Sequence, residues 1–170
     1  MGEKVAEGGY MAPEYAMRGY LTPKADVYSF GILAMEIVSG KNNSYRHTEE
    51  CFYLLDWAYL SRAKKNLLEM VDPDLGSEFS SEEALRILKV ALFCTAASPS
   101  FRPTMSQTIS MLEGHTDLEE FGKTVALPIN DFHRYMASTN HFWEDLSETR
   151  QMPDEPHTES FVTESVTELS

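Results

Sequence analysis

Apolar and polar positions divide the chain into stretches of different character. Residues 1–22 are punctuated by Gly8-Gly9 and Gly19 and show little periodicity, which predicts loop with one short helix. Residues 23–113 carry the helical patterns, and 114–137 form a transition with scattered hydrophobes. From 138 to 170 Ser, Thr, Glu and Asp dominate, a composition that predicts a disordered acidic tail. There is no internal repeat and no alternating strand pattern of useful length, so the fold class is all-α.

The most apolar stretch runs from Pro23 to Ser39. Thr22 is placed to cap it, Pro23 sits where a missing N–H costs nothing, and Gly40 suits the left-handed residue that ends it. Its body, Ala25 to Val38, is apolar almost all the way round, as expected of a helix at the buried centre of a domain. At about 17 residues it is too short and too polar to span a bilayer. A second helix is predicted over Cys51–Arg62, with Leu54, Leu55, Ala58 and Tyr59 on one face, and a short turn over Asn66–Val71. A third opens at Ser80 and Glu83 with capping-box spacing and repeats Leu85, Leu88 and Leu92 beside Ile87, Ala91 and Cys94. A fourth starts at Pro103 and carries Met105, Ile109 and Leu112.

With 170 residues the chain can hold one modest domain with extensions. No stretch of about 18 apolar residues occurs, and Met1 to Glu7 lacks the apolar core of a secretory signal. Gly2 invites a myristoylation reading, but Ala6 stands where that motif requires Ser or Thr. Cys51 and Cys94 are too few for a disulfide framework or a zinc cluster, and Cys94 reads as a small core residue, a usage that fits a reducing compartment. The net charge of −13 argues against nucleic acid and against an anionic membrane surface as direct partners.

Three phrases go beyond helix patterning: Gly9-Tyr10-Met11-Ala12-Pro13-Glu14-Tyr15, Asp26-Val27-Tyr28-Ser29-Phe30-Gly31 and Arg102-Pro103. Singly, each has an ordinary structural explanation; an acid in the first turn, for instance, complements the helix dipole. In this order and spacing they resemble the second half of a protein kinase domain. Glu36-Ile37-Val38-Ser39-Gly40-Lys41, Leu55-Asp56-Trp57-Ala58 and Val71-Asp72-Pro73-Asp74-Leu75 narrow the resemblance to plant leucine-rich-repeat receptor-like serine/threonine kinases. It covers residues 4 to about 113, while the tail matches only in character.

The resemblance implies a partial kinase C-lobe, with residues 1–22 ending the activation segment and 23–113 forming the helical core. It implies that Ala12, Pro13 and Glu14 close the activation segment and that Glu14 pairs with Arg102 as a structural ion pair. It makes Asp26 the anchor of a catalytic loop; with no such loop among these residues, a buried or half-buried acid seeking donors is expected, its local role being dipole complementation. Gly9, Tyr10 and Met11 match the loop that receives the substrate residue following the phosphorylated one. Here the chain departs from the family: Val5-Ala6-Glu7-Gly8-Gly9-Tyr10 is one residue shorter than the usual Val-Ala-Gly-Thr-X-Gly-Tyr and lacks its threonine.

Phosphoryl transfer needs a glycine-rich loop, a strand-borne lysine with its glutamate, the His-Arg-Asp loop and Asp-Phe-Gly. None occurs in the 170 residues. The expectations are therefore a truncated domain with no catalytic residue, no metal ligand and no cofactor of its own, ATP and magnesium belonging to the complete family domain. His133 and His141 near Asp131 and Glu144 read as a solvated segment, and Ser29 lacks the context of a nucleophile. Phe132, Tyr135, Phe142 and Trp143 suit either an amphipathic helix docking on the domain or a partner-binding motif. The Ser/Thr-rich tail suits either phosphorylation or a solubilising role.

Two functions follow: part of a receptor-like serine/threonine kinase, or a non-catalytic module that binds kinases or their substrates as a decoy. The expected location is cytoplasmic, at the cytoplasmic face of the plasma membrane within a full-length receptor. An apolar patch beside the central helix is expected to be exposed and to allow self-association.

Overall fold

A computed structural model of the chain describes residues 10–19, 21–48, 51 and 53–125. Within them lie six α-helices: α1 (Pro13–Arg18), α2 (Pro23–Ser39), α3 (Leu54–Ala63), α4 (Ser81–Cys94), α5 (Met105–Leu112) and α6 (Leu118–Val125). Short 3-10 turns occupy Leu67–Met70, Pro73–Leu75 and Pro99–Phe101. The fold is helical, and among the described residues the only β pairing is an isolated bridge between Thr48 and Cys51. No helix among them is long and apolar enough to cross a membrane.

α2 packs chiefly on α4 and also meets α3, while α5 and α6 pack on α4. Thr22 Oγ1 accepts from the Ala25 N–H at 3.2 Å, and Gly40, at φ 63°, closes the helix with its N–H on the Glu36 carbonyl. The larger core joins Tyr28, Ile32 and Met35 of α2 to Leu54, Leu55 and Trp57 of α3 and to Leu88, Ala91 and Leu92 of α4. Trp57 also stacks on His47 at 4.4 Å and meets the Tyr45 ring at 5.6 Å, which pins the α2–α3 loop. A smaller core on the other side of α4 gathers Val27, Val90, Phe93, Cys94 and Met111. Burial pushes the Cys94 thiol up to about 11, so it packs as an unreactive apolar group.

α2 is not buried all round. Leu33 is 47% exposed and Ile37 72%, so one apolar face of the helix lies open. α3 begins at Leu54 rather than Cys51, because the Asp56 carboxylate accepts from the Tyr53 N–H at 3.0 Å and fixes the first turn there. At α4 the Glu83 N–H donates to Ser80 Oγ at 3.2 Å, one half of the anticipated box.

α5 starts at Met105, where Thr104 and Gln107 cap each other reciprocally. Its buried residues are Thr108 and Met111, while Met105 and Ile109 face solvent. Fully burying Met111 is worth about 1.5–3 kcal/mol, more than the roughly 1 kcal/mol of a cap, so contact with α4 decides which face turns inward. Sequence patterning assigned no helix to 118–125. There Asp117 Oδ1 accepts from the Glu119 N–H at 2.8 Å, and Phe121 meets Phe93 edge-on at 5.1 Å. The expectations for 1–9 and 126–170, the acidic tail among them, lie outside the described residues.

α2 approaches α4 tightly at Gly31. A Cβ there would lie 2.7 Å from Thr95 Cγ2, 2.8 Å from Cys94 Cβ and 2.9 Å from the Ala91 carbonyl oxygen. Gly31→Ala gains up to about 1 kcal/mol of helix propensity but forces two backbones apart, an overpacking cost of about 1–3 kcal/mol. We expect the urea midpoint to fall; an unchanged or raised midpoint would show that the seam is not close-packed.

Candidate functional site

Of the residues singled out by sequence, Ala12, Pro13 and Glu14 lie at the start of α1, and Arg102 meets Glu14 from the segment after α4. Ala12 has extended backbone at φ −62° and ψ 140°, Pro13 opens α1, and Glu14 sits in its first turn. Ala12 is buried, which sets the helix against the core and turns Glu14 toward the segment after α4. Arg102 precedes Pro103, and the proline restricts it to the extended φ −73° and ψ 141° observed. That geometry sends its side chain inward.

The Arg102 side chain is 0% exposed and every guanidinium N–H is used. Nη1 donates to Glu14 Oε1 at 2.6 Å and to the Lys24 carbonyl at 2.9 Å. Nη2 donates to Glu14 Oε2 at 2.8 Å and to the Ala97 carbonyl at 3.3 Å, and Nε donates to the Ala96 carbonyl at 2.8 Å. Its carbon stands 4.9 Å above the Tyr28 ring, and Lys24 Nζ donates to its carbonyl. Burial drives the Glu14 carboxyl upward, but the hydrogen bonds and charge of Arg102, with a backbone bond, leave it below the ordinary value. The stability from this pairing is therefore present above the unfolded pKa and is lost as pH falls through the lowered one.

A second set of bonds ties Tyr10 to α2. Its hydroxyl donates to Glu36 Oε1 at 2.5 Å, and Ser29 Oγ donates to its carbonyl at 2.7 Å. The same Glu36 oxygen accepts from the Asn43 N–H at 2.6 Å, so one carboxylate holds both the segment before α1 and the loop after α2. The hydrogen bond to Glu36, then burial, then the charge of Glu36 push the Tyr10 phenol from 10.0 up to about 12.

Glu14 and Arg102 thus meet, Ala12 and Pro13 flank them, and Tyr10 and Met11 lie at the surface beside them. Gly9 lies outside the described residues. Asp26 differs from expectation: it is exposed in the first turn of α2, where the helix dipole is its physical partner. Sequence reasoning missed Glu36, Ser29 and Lys24. Glu36 had a signal, being the single charged residue between Val27 and Val38, and Ser29 lies within a phrase that carries the resemblance, whereas Lys24 looks like an ordinary surface residue in sequence. Among the described residues no group of three or more His, Cys, Asp or Glu could hold a metal ion, and the carboxylate of Glu14 is taken up by Arg102.

A family model for protein tyrosine and serine/threonine kinases matches residues 2–112. A probable LRR receptor-like serine/threonine-protein kinase of Arabidopsis thaliana is 56% identical over 139 residues, covering 81% of this chain and 14% of that protein. Another from the same plant is 65% identical over 107 residues, covering 62% of this chain and 10% of that protein. The Arabidopsis cold-responsive protein kinase 1 is 47% identical over 127 residues, 73% of this chain and 32% of its own length. The chain therefore spans only a small part of these relatives.

The tether of Tyr10 is open to direct titration. A phenol whose pKa is raised on folding adds stability that is complete below the unfolded value near 10.0 and fades as pH climbs through the folded value of about 12. The difference in phenolate absorbance between the unaltered chain and Tyr10→Phe should place Tyr10 at about 12, and Glu36→Gln should bring it back toward 10.0. A Tyr10 midpoint near 10.0 in the unaltered chain would contradict the tether.

Proposed function

The chain belongs to the protein tyrosine and serine/threonine kinase family, and from that membership we propose that it is the substrate-loop-bearing portion of a plant receptor-like serine/threonine kinase. The observation that carries this reading is the double fastening of one short segment, Tyr10 by Glu36 and Glu14 by Arg102. A loop that receives a peptide must hold its shape without the peptide, since ordering it on binding would consume affinity. By the family pattern Gly9, Tyr10 and Met11 would lie next to the incoming substrate residue, and the Glu14–Arg102 pair would hold the segment that follows them.

Nucleotide chemistry is assigned elsewhere in such a kinase. These 170 residues contain neither a His-Arg-Asp loop nor Asp-Phe-Gly, so ATP and magnesium would be held by other parts of the family domain, and the chain alone transfers no phosphate. A receptor-like parent would place this portion in the cytoplasm, at the inner face of the plasma membrane.

The open face of α2 favours a second reading, in which the chain acts by association. Leu33 and Ile37 are exposed beside a groove that Phe30, Ile87 and Leu112 help to line. Apolar surface of this kind draws in a protein partner, a kinase or kinase substrate, or a second copy.

Sequencing the complete transcript separates the two. The kinase reading expects a reading frame that continues upstream through Asp-Phe-Gly and His-Arg-Asp, as relatives many times longer suggest. An in-frame stop immediately before Met1 would overturn it in favour of the association reading.

A further inference from the structure

Away from the Tyr10 and Arg102 contacts, residues of α4, α6 and the end of α3 line a cleft whose charge is the reverse of the chain's average. The whole sequence has 27 acidic residues against 14 Lys and Arg. The cleft is rimmed by four cations, Arg62, Lys65, Lys89 and Lys123, with Glu119 as its single acid. Lys89 pairs with Glu119 at 2.7 Å and Lys123 with Glu120 at 3.6 Å. Among the described residues Arg62 and Lys65 form no ion pair. Arg62 complements the dipole in the last turn of α3, but Lys65, at φ 57° beyond the helix, has no such role.

The floor between these cations is apolar. Leu85, Leu92, Phe93 and Leu118 line a cavity of about 570 Å3, a size typical of recognition pockets. Gly122 keeps it open from the α6 side: a Cβ there would already lie 3.4 Å from Phe93 Cζ, so a larger side chain would extend over the floor. A glycine inside a helix costs about 1 kcal/mol relative to alanine, and the room it leaves lies within this cleft.

We propose that this cleft is a docking groove for an acidic amphipathic peptide segment of a partner protein. Its apolar anchors, spaced at i, i+3 or i+4, would seat on the half-buried Leu85 and Leu118 above the buried Leu92 and Phe93, and its flanking carboxylates would meet Arg62 and Lys65. Charge selects the occupant. A neutral apolar segment would leave both cations unused, and a basic one would be repelled by the rim. An elongated segment also suits cations carried on different elements, with Arg62 and Lys65 at the end of α3 and Lys123 on α6.

The test uses the full chain and a fluorescently labelled synthetic peptide of about two to four helical turns, with Leu and Phe on one face and Glu on the other. Anisotropy should show saturable binding that weakens as salt is raised through the range where the Debye length contracts below about 10 Å. A scrambled peptide and a Lys-for-Glu peptide should bind at least about tenfold more weakly, as should chains carrying Arg62→Glu with Lys65→Glu, or Gly122→Leu. Gly122→Leu improves helix propensity and leaves the charge unchanged, so it reads the floor separately from the rim. Equal binding of the scrambled peptide, or indifference to both variants, overturns the proposal. So does failure of the designed peptide to bind while dodecanoate saturates the cleft, or while the same variants abolish self-association of the chain. Those two results would give the cleft to a small amphipathic anion or to a second copy.

Discussion

A guanidinium withdrawn from water must find all its partners inside the protein, and Arg102 finds them on segments far apart in the chain. Glu14 comes from α1, the Lys24 carbonyl from the first turn of α2, and the Ala96 and Ala97 carbonyls from the turn after α4. The Ala96 and Ala97 carbonyls lie past the end of α4, so the cation satisfies acceptors there that would otherwise need water. The consequence is positional rather than catalytic. With Arg102 fixed, the segment leading into α1 has one place to lie, and Tyr10 reaches Glu36 from it. A charge buried in this way is a costly device for stability alone, since a well-packed apolar pair can do as well. Its merit is directional: a bidentate pair specifies where α1 sits to within a hydrogen bond.

α2 carries the opposite logic. Its middle is close-packed on α4, with Gly31 removing the one side chain that would keep the backbones apart. Its outer face leaves Leu33 and Ile37 in solvent, and its charged residue Glu36 reaches out to hold two loops. One helix thus presents a buried seam, a polar anchor and an open apolar face.

The helical class, the bounds of α2 with both of its caps, and the Glu14–Arg102 pairing were legible from sequence, since each rests on local chemistry or on a motif the family shares. The misreadings are tertiary in origin. Met105, Ile109 and Leu112 make a convincing stripe, yet of these only Leu112 packs against the core, where Thr108 and Met111 are the buried residues. Asp26 was assigned partners by analogy and instead stands exposed. α6 was overlooked because its short pattern acquires meaning only when Phe121 finds Phe93. The basic cleft is invisible in sequence for the same reason, its four cations being spread between positions 62 and 123 of an acidic chain.

The dependence of the fold on Arg102 is measured most directly by a double-mutant cycle with Glu14→Ala, Arg102→Met and the two together, followed by chemical denaturation. Each single change strands a group or a set of carbonyls and should cost about 3–5 kcal/mol, while the double variant should cost far less than the sum. A Glu14→Ala cost below about 1 kcal/mol, or strict additivity of the two changes, would place the pair among ordinary surface ion pairs and contradict the account.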